Sequence, residues 1–296
     1  MRCFINGGCV AAETSMSTTR GVDTEDASNK DLVSDSVTGS IAGALPIALY
    51  KNRTFQVEAQ GNGAINLYAR AKALMTATGG AVGFAETSGE NNRTGSPASY
   101  YQAICNDLVL NAPNRQPATC TAQFMVISDT ASGTGDEAPA VEYEILRGEF
   151  VRLFIGDSYK PIALATGFSL HLSLNMEDAT TKDDTSSMSS SSDLDYKKQE
   201  PTTINYDISV DSLYGGNGTA QDIAGLIEGV TYDWKVAMAS GPNQWSIGET
   251  ISSGQAMLTN AGTQAATSQN ITQNATFTGV GVLDEDSSSN NSSDEL

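Results

Sequence analysis

Imidazole catalysis needs histidine, and His171 is the only one among 296 residues. It alternates with Leu170 and Leu172, which puts it on the polar side of a strand. Histidine-based triads and multi-histidine metal sites are therefore excluded. Carboxylate pairs are the other route to acid–base chemistry, and 35 Asp and Glu are present, yet no pair stands in the pocket-forming context a glycosidase requires. Glu177, Asp178, Asp183 and Asp184 cluster as hard-cation ligands do, but without the spacing or turn glycine of an EF-hand. A solvated or interface loop is the simpler reading. Cys3, Cys9, Cys105 and Cys120 lack the paired spacing of a zinc or thioredoxin-like motif. Cys3 and Cys9 can pair only in an oxidising compartment, and small buried thiols in a reducing one are the plainer alternative. Gly79-Gly80 and Gly215-Gly216 lack the lysine that follows a phosphate-cradling loop and read as turns. No enzymatic activity, cofactor or metal is expected.

Charge points the same way. Sixteen Lys and Arg against 35 Asp and Glu leave a net charge of −19, which repels phosphate rather than neutralising it. Charged residues are only 17% of the chain, and Gly, Ser, Thr, Ala and Asn are abundant, as suits strands joined by many turns. Met1 to Val10 contain no apolar run of the length a signal segment or membrane span needs, so no export or membrane insertion is expected. The ending Ser293-Asp294-Glu295-Leu296 is similar to a retention tag of the endoplasmic reticulum, but it lies in an acidic tail and no entry signal accompanies it.

The elements that must position these side chains are mostly strands. Phe168, Leu170, Leu172, Leu174 and Met176 alternate with polar residues, as do Ile204, Tyr206, Ile208 and Val210. Trp234, Val236 and Met238, Phe124 with Val126, and Phe277 with Val280 and Val282 predict further strands. One helix is expected near Ala64 to Met75, with Ile65, Tyr68, Lys72 and Met75 at helical spacing. A second is expected from a Thr219 cap through Asp222, Ile223, Leu226 and Ile227 to a Gly229 stop. Asp183 to Pro201, with its serine run Ser186 to Ser192, is expected to be a long loop, as is Lys30 to Ala44.

The chain also repeats itself. Glu25-Asp26-Ala27-Ser28-Asn29-Lys30-Asp31 recurs as Glu177-Asp178-Ala179-Thr180-Thr181-Lys182-Asp183, at 177 − 25 = 152. Phe55 to Glu58 matches Ile208 to Asp211, and Gln102-Ala103-Ile104 matches Gln255-Ala256-Met257, both at 255 − 102 = 208 − 55 = 153. The expected organisation is mainly β: two tandem β-sandwich or small-barrel domains, each with one flanking α-helix. Their bounds are 1–132 and 140–284, with a turn-rich linker at 133–139 and an acidic disordered tail at 285–296.

The order of features in the second half resembles the major tail protein family of siphophages. The resemblance runs through Phe154-Ile155-Gly156, Ile162 to Thr166, Ser169-Leu170, Glu177 to Asp183, Ser209 to Tyr214, Trp234 and a closing strand around Phe277 to Leu283. It covers most of residues 150–284. The first half departs from it where Leu45 to Leu49, with Pro46, replaces the serine-rich part of the loop. The resemblance implies stacked rings of six tube domains around a DNA channel, which duplicated chains supply as homotrimers since 3 × 2 = 6. It implies other tail proteins as partners, no membrane, DNA passing through the lumen without specific binding, and a place in the virion tail after assembly in the host bacterial cytoplasm. It also makes Glu25, Asp26, Lys30, Asp31, Glu177, Asp178, Lys182 and Asp183 candidate contacts between rings or subunits. The rival is a secreted β-sandwich adhesion or carbohydrate-binding module, which shares the strand pattern but stays monomeric.

Overall fold

The computed structural model describes residues 2–10, 12–26, 46–85, 100–129, 146–180, 195–215, 220–239 and 247–283. The linker at 133–139, the tail at 285–296, the Thr219 cap, the Lys30 to Ala44 loop and the serine run lie outside them. The fold is mainly β. Seven strands occupy the first half: β1 (Arg2–Ile5), β2 (Gly8–Cys9), β3 (Glu13–Asp26), β4 (Pro46–Gln60), β5 (Gly80–Ala85), β6 (Tyr100–Pro113) and β7 (Thr119–Ser128). Seven follow in the second: β8 (Val151–Ile155), β9 (Lys160–Pro161), β10 (Ala165–Asp178), β11 (Gln199–Leu213), β12 (Thr231–Ala239), β13 (Ile247–Gln264) and β14 (Thr272–Val280).

The pairing order β2-β1-β5-β6-β7-β4-β3 in the first half recurs as β9-β8-β12-β13-β14-β11-β10 in the second. Registers correspond as well. Val57 pairs with Ala122 and Val210 with Ala275, where 210 − 57 = 275 − 122 = 153. The irregularities fall at matching places: Asp23/Thr24 with Asn175/Met176 at 175 − 23 = 152, and Cys105/Asp107 with Leu258/Asn260 at 258 − 105 = 153. A bulge breaks the ladder at one residue, so its recurrence is a closer likeness than shared strand patterning gives.

One hydrogen-bonded sheet of 14 strands runs through both halves. The join is β10 lying antiparallel on β6. The reason is an edge: the C-terminal half of β6 extends past β5 and leaves a row of unpaired backbone groups that β10 satisfies.

The helix α1 (Asn62–Lys72) packs Leu67, Tyr68 and Ala71 onto β7, β6 and β4. The second expected helix is not formed. In its place stands a single 3₁₀ turn, Ile223–Gly225, whose cap Asp222 accepts the Ala224 amide at 3.2 Å. Ile223 and Leu226 are buried at the expected spacing, but the backbone is extended at Asp222 and Leu226, and Gly225 and Gly229 weaken any continuation. The loop expected to reach Pro201 ends earlier. β11 begins at Gln199 because β10 extends opposite it, and Pro201 sits at a ladder irregularity, where a missing donor is tolerated. Val282, expected in the last strand, lies just beyond β14.

In the second half, Trp234 is 1% exposed and meets Tyr206 with ring centroids 5.7 Å apart. The Tyr206 hydroxyl reaches the carbonyls of Gln255 at 2.6 Å and Val280 at 3.0 Å, tying β11 to β13 and to the end of β14. Its ring fills the space over Gly279, where a Cβ would fall 2.5 Å from it. Tyr206→Phe removes this part-buried tie between strands and is expected to cost about 1 kcal/mol, read as a lower midpoint in urea with unchanged slope.

Candidate assembly interface

The β6–β10 seam is built from seven register pairs, Gly167↔Pro113 through Ser173↔Asp107. On its inner side Leu170 and Leu172 meet a surface of Leu108, Leu110 and Ala112, all but Ala112 fully buried. On its outer side His171 Nε2 lies 2.9 Å from Asp107 Oδ2, with both side chains about half exposed (44% and 40%), so the pair adds little to stability. The lone histidine therefore marks a joint between the halves.

Further contacts staple the joint at both ends. At one end Asn114 donates its amide to the Thr166 carbonyl at 2.9 Å, and Gly148 lies so close to β6 that a Cβ would fall 2.3 Å from the Pro113 carbonyl oxygen. At the other, the approach to β11 crosses to β4. Lys51 donates its amide to the Asp195 carbonyl at 2.9 Å, the Tyr196 hydroxyl donates to Asp129 Oδ1 at 2.6 Å, and Lys51 Nζ stands 3.1 Å from Asp129 Oδ2. Burial, then the Asp129 carboxylate, pushes the Tyr196 phenol up to about 12.

Among the described residues each half of the seam has a counterpart with no second strand on it. β3 corresponds to β10 and, among the described residues, pairs with β4 alone. β13 corresponds to β6, and among the described residues its Asn260 to Gln264 pair with β14 alone. Burial follows the same division. Where Leu108, Leu110 and Ala112 are covered, Ala261 is half-buried and Thr263 and Ala265 are exposed; where Leu170 and Leu172 are covered, Thr18 and Arg20 are exposed. Beside the open β13 edge Ile227 is 63% and Val230 40% exposed. Leu74 takes the position of Val230 in the first half, since Cys105 donates to the Leu74 carbonyl as Leu258 does to that of Val230, and Leu74 is fully buried.

Registers across β3, β4, β7, β6, β10, β11, β14 and β13 also define one uncovered face eight strands wide. Partnered residues share a face. This one carries Ser17, Thr19, Gln56, Gln123, Asn111, Ser169, Ser173, Asn205, Thr276 and Asn274. Its charged residues in those registers are Asp23, Glu58, Asp107, Asp207 and Asp211, and no Lys or Arg stands on it among the described residues. Arg20, Lys51 and Arg53 lie on the opposite side of their strands.

Four of the candidate contact residues are described, and they sit on strand ends rather than in loops: Glu25 and Asp26 close β3, Glu177 and Asp178 close β10. Lys30, Asp31, Lys182 and Asp183 lie outside the described residues. Glu177 is exposed and stands directly opposite Glu200. Asp178 accepts the Thr180 amide at 3.0 Å and pairs with Lys197 at 3.0 Å; the Thr180 hydrogen bonds first, then Lys197, hold its carboxyl at about 2. Asp178 thus fastens the base of its own hairpin.

The sequence reading missed Arg20, Asp107 and the β13 edge. Aligning the halves at 152 sets Leu170 and Leu172 against Thr18 and Arg20, a visible contrast that strand periodicity alone does not pick out. The four cysteines are buried and form no disulfide, and burial pushes the thiols of Cys3, Cys105 and Cys120 up. Among the described residues no group of three or more His, Cys, Asp or Glu gathers for a metal, and no helix is long and apolar enough to cross a membrane. No family model matches the chain, and no curated protein matches it.

Proposed function

We propose that this chain is a structural subunit of a bacteriophage tail tube, in which two copies of one β-module, joined covalently, build a ring from three chains. The observation that carries the reading is that one molecule combines one completed seam with two edges of the same kind that, among the described residues, have no strand on them. β10 on β6 is the joint already made; β3 of one chain on β13 of the next is the same joint between chains. Such a head-to-tail contact is heterologous and closes a ring when its rotation divides the circle. Ring closure satisfies the free edges, which left bare are aggregation sites.

The uncovered face then lines a channel. Its carboxylates, amides and hydroxyls, without Lys or Arg among the described residues, give duplex DNA nothing to hold, so DNA slides through without being bound. The hairpins β3–β4 and β10–β11, with the candidate residues at their ends, project toward the neighbouring ring. The chain works by self-association alongside other tail proteins, in a virion tail assembled in the host cytoplasm, and performs no catalysis. Negative-stain imaging of the purified full chain tests this. Stacked rings or tubes with a central hole are expected; a stable monomer at high concentration points instead to the adhesion or carbohydrate-binding module.

A further inference from the structure

The two seams differ in charge, and the difference says which edges fit together. Arg20 occupies in β3 the place that Leu172 occupies in β10, at 172 − 20 = 152. It is exposed, stands directly opposite Arg53, and has no carboxylate partner among the described residues. Like charges directly opposite on a sheet repel. Arg53 is half-buried and stacks 4.3 Å over the Tyr101 ring, which leaves Arg20 as the exposed cation of the pair on the β3 edge. Charges of this kind on an edge strand discourage indiscriminate pairing.

The receiving edges differ in the complementary sense. In the first half, Lys72 stands two residues before Leu74, whose carbonyl binds β6; in the second, Glu228 stands two residues before Val230, whose carbonyl binds β13. Glu228 is exposed, and its neighbour Gly229 donates to the Leu258 carbonyl at 2.8 Å, fixing it beside β13. Transferring the β10–β6 register to β3 and β13 sets Arg20 against Ala261, because Leu172 pairs with Leu108 and 108 + 153 = 261. Ala261 is 261 − 258 = 3 residues from Leu258, about 10 Å of strand, a gap that two extended side chains close. A β3 edge misplaced on β6 would bring Arg20 toward Lys72 instead.

We infer that Arg20 and Glu228 of a second copy form the charge pair that directs β3 onto β13 and away from β6. This rests on the ring reading, and it names the contact that selects the partner edge. Arg20→Glu and Glu228→Arg each turn attraction into repulsion at every interface, and a contact weakened about threefold compounds over three interfaces to roughly 30-fold in ring formation. The combined variant, R20E with E228R, restores the attraction with its sign reversed. The test is the concentration at which the full-length chain forms rings, by light scattering and imaging, with unfolding midpoints confirming that each variant is folded. Both single variants are expected to need higher concentrations and the double variant to return toward the starting protein. Rings that form equally well in the single variants, or a double variant no better than the worse single one, overturn the pair while leaving the ring intact. If the unmodified chain forms no rings, the ring reading itself fails and the pair with it.

Discussion

Ser17→Cys combined with Gln264→Cys is expected to yield a covalently closed trimer after mild oxidation. The expectation transfers a pairing the molecule already makes. Ser169 lies directly opposite Asn111 in the β10–β6 seam, and the corresponding residues are Ser17, at 169 − 152, and Gln264, at 111 + 153. Residues directly opposite in an antiparallel ladder have Cα atoms about 4.5–5.5 Å apart, within the span a disulfide bridges. Both positions are exposed on the uncovered face, so the substitutions remove no core packing. The native thiols are buried, which keeps background cross-linking low. A non-reducing denaturing gel should show a band at three chain masses that disappears with reductant. Gly262→Cys in place of Gln264→Cys shifts the register by two residues, about 7 Å, and should cross-link far less. Equal yields from both pairs would show contact without a defined register, and monomer alone would remove the head-to-tail edge.

Much of the fold was legible because its strands each have one buried face. Phe168 to Leu174 alternate so regularly that the strand and its exposed side follow together. The second helix failed for a physical reason: Ile223, Leu226 and Ile227 carry helical spacing, but so short an apolar stripe, interrupted by Gly225 and stopped by Gly229, does not offset the cost of nucleating a helix. The join between the halves was invisible to periodicity, since Phe168 to Leu174 alternate in the same way whether or not a strand of the other half lies on that edge. The candidate site was legible in part. Glu177 and Asp178 stood out as an acidic repeat, yet Asp178 is occupied by Thr180 and Lys197 at the base of its own hairpin. The residues that distinguish the edges, Arg20 against Leu172 and Glu228 against Lys72, are ordinary surface residues until the two halves are superposed in register.

Replacing the acids of the uncovered face should turn a channel that ignores DNA into one that holds it. Glu58→Lys, Asp207→Lys and Asp211→Lys place three cations per chain, or 3 × 3 = 9 per trimeric ring, where carboxylates stand now. Asp107 is left unchanged because it pairs with His171 in the seam. Asp207 and Asp211 sit in the β10–β11 and β11–β14 ladders through their backbones, which the substitutions leave in place, whereas Glu58 gives up the Ser15 hydroxyl at 2.7 Å and the Gln56 amide at 3.5 Å, a small loss on an exposed surface. Tubes of the unmodified chain should leave short duplex DNA in the supernatant after sedimentation at any ionic strength. Tubes of the triple variant should carry it down at low salt and release it as salt rises, because each phosphate contact returns a counterion. With six to ten contacts engaged, affinity falls about 10³- to 10⁵-fold between about 50 and 200 mM salt. A neutral variant with Gln and Asn at the same positions separates removal of repulsion from added attraction, and should leave most DNA free. If assembled tubes of the lysine variant fail to retain DNA at low salt, the uncovered face does not line the channel, and the sheet must curve the other way.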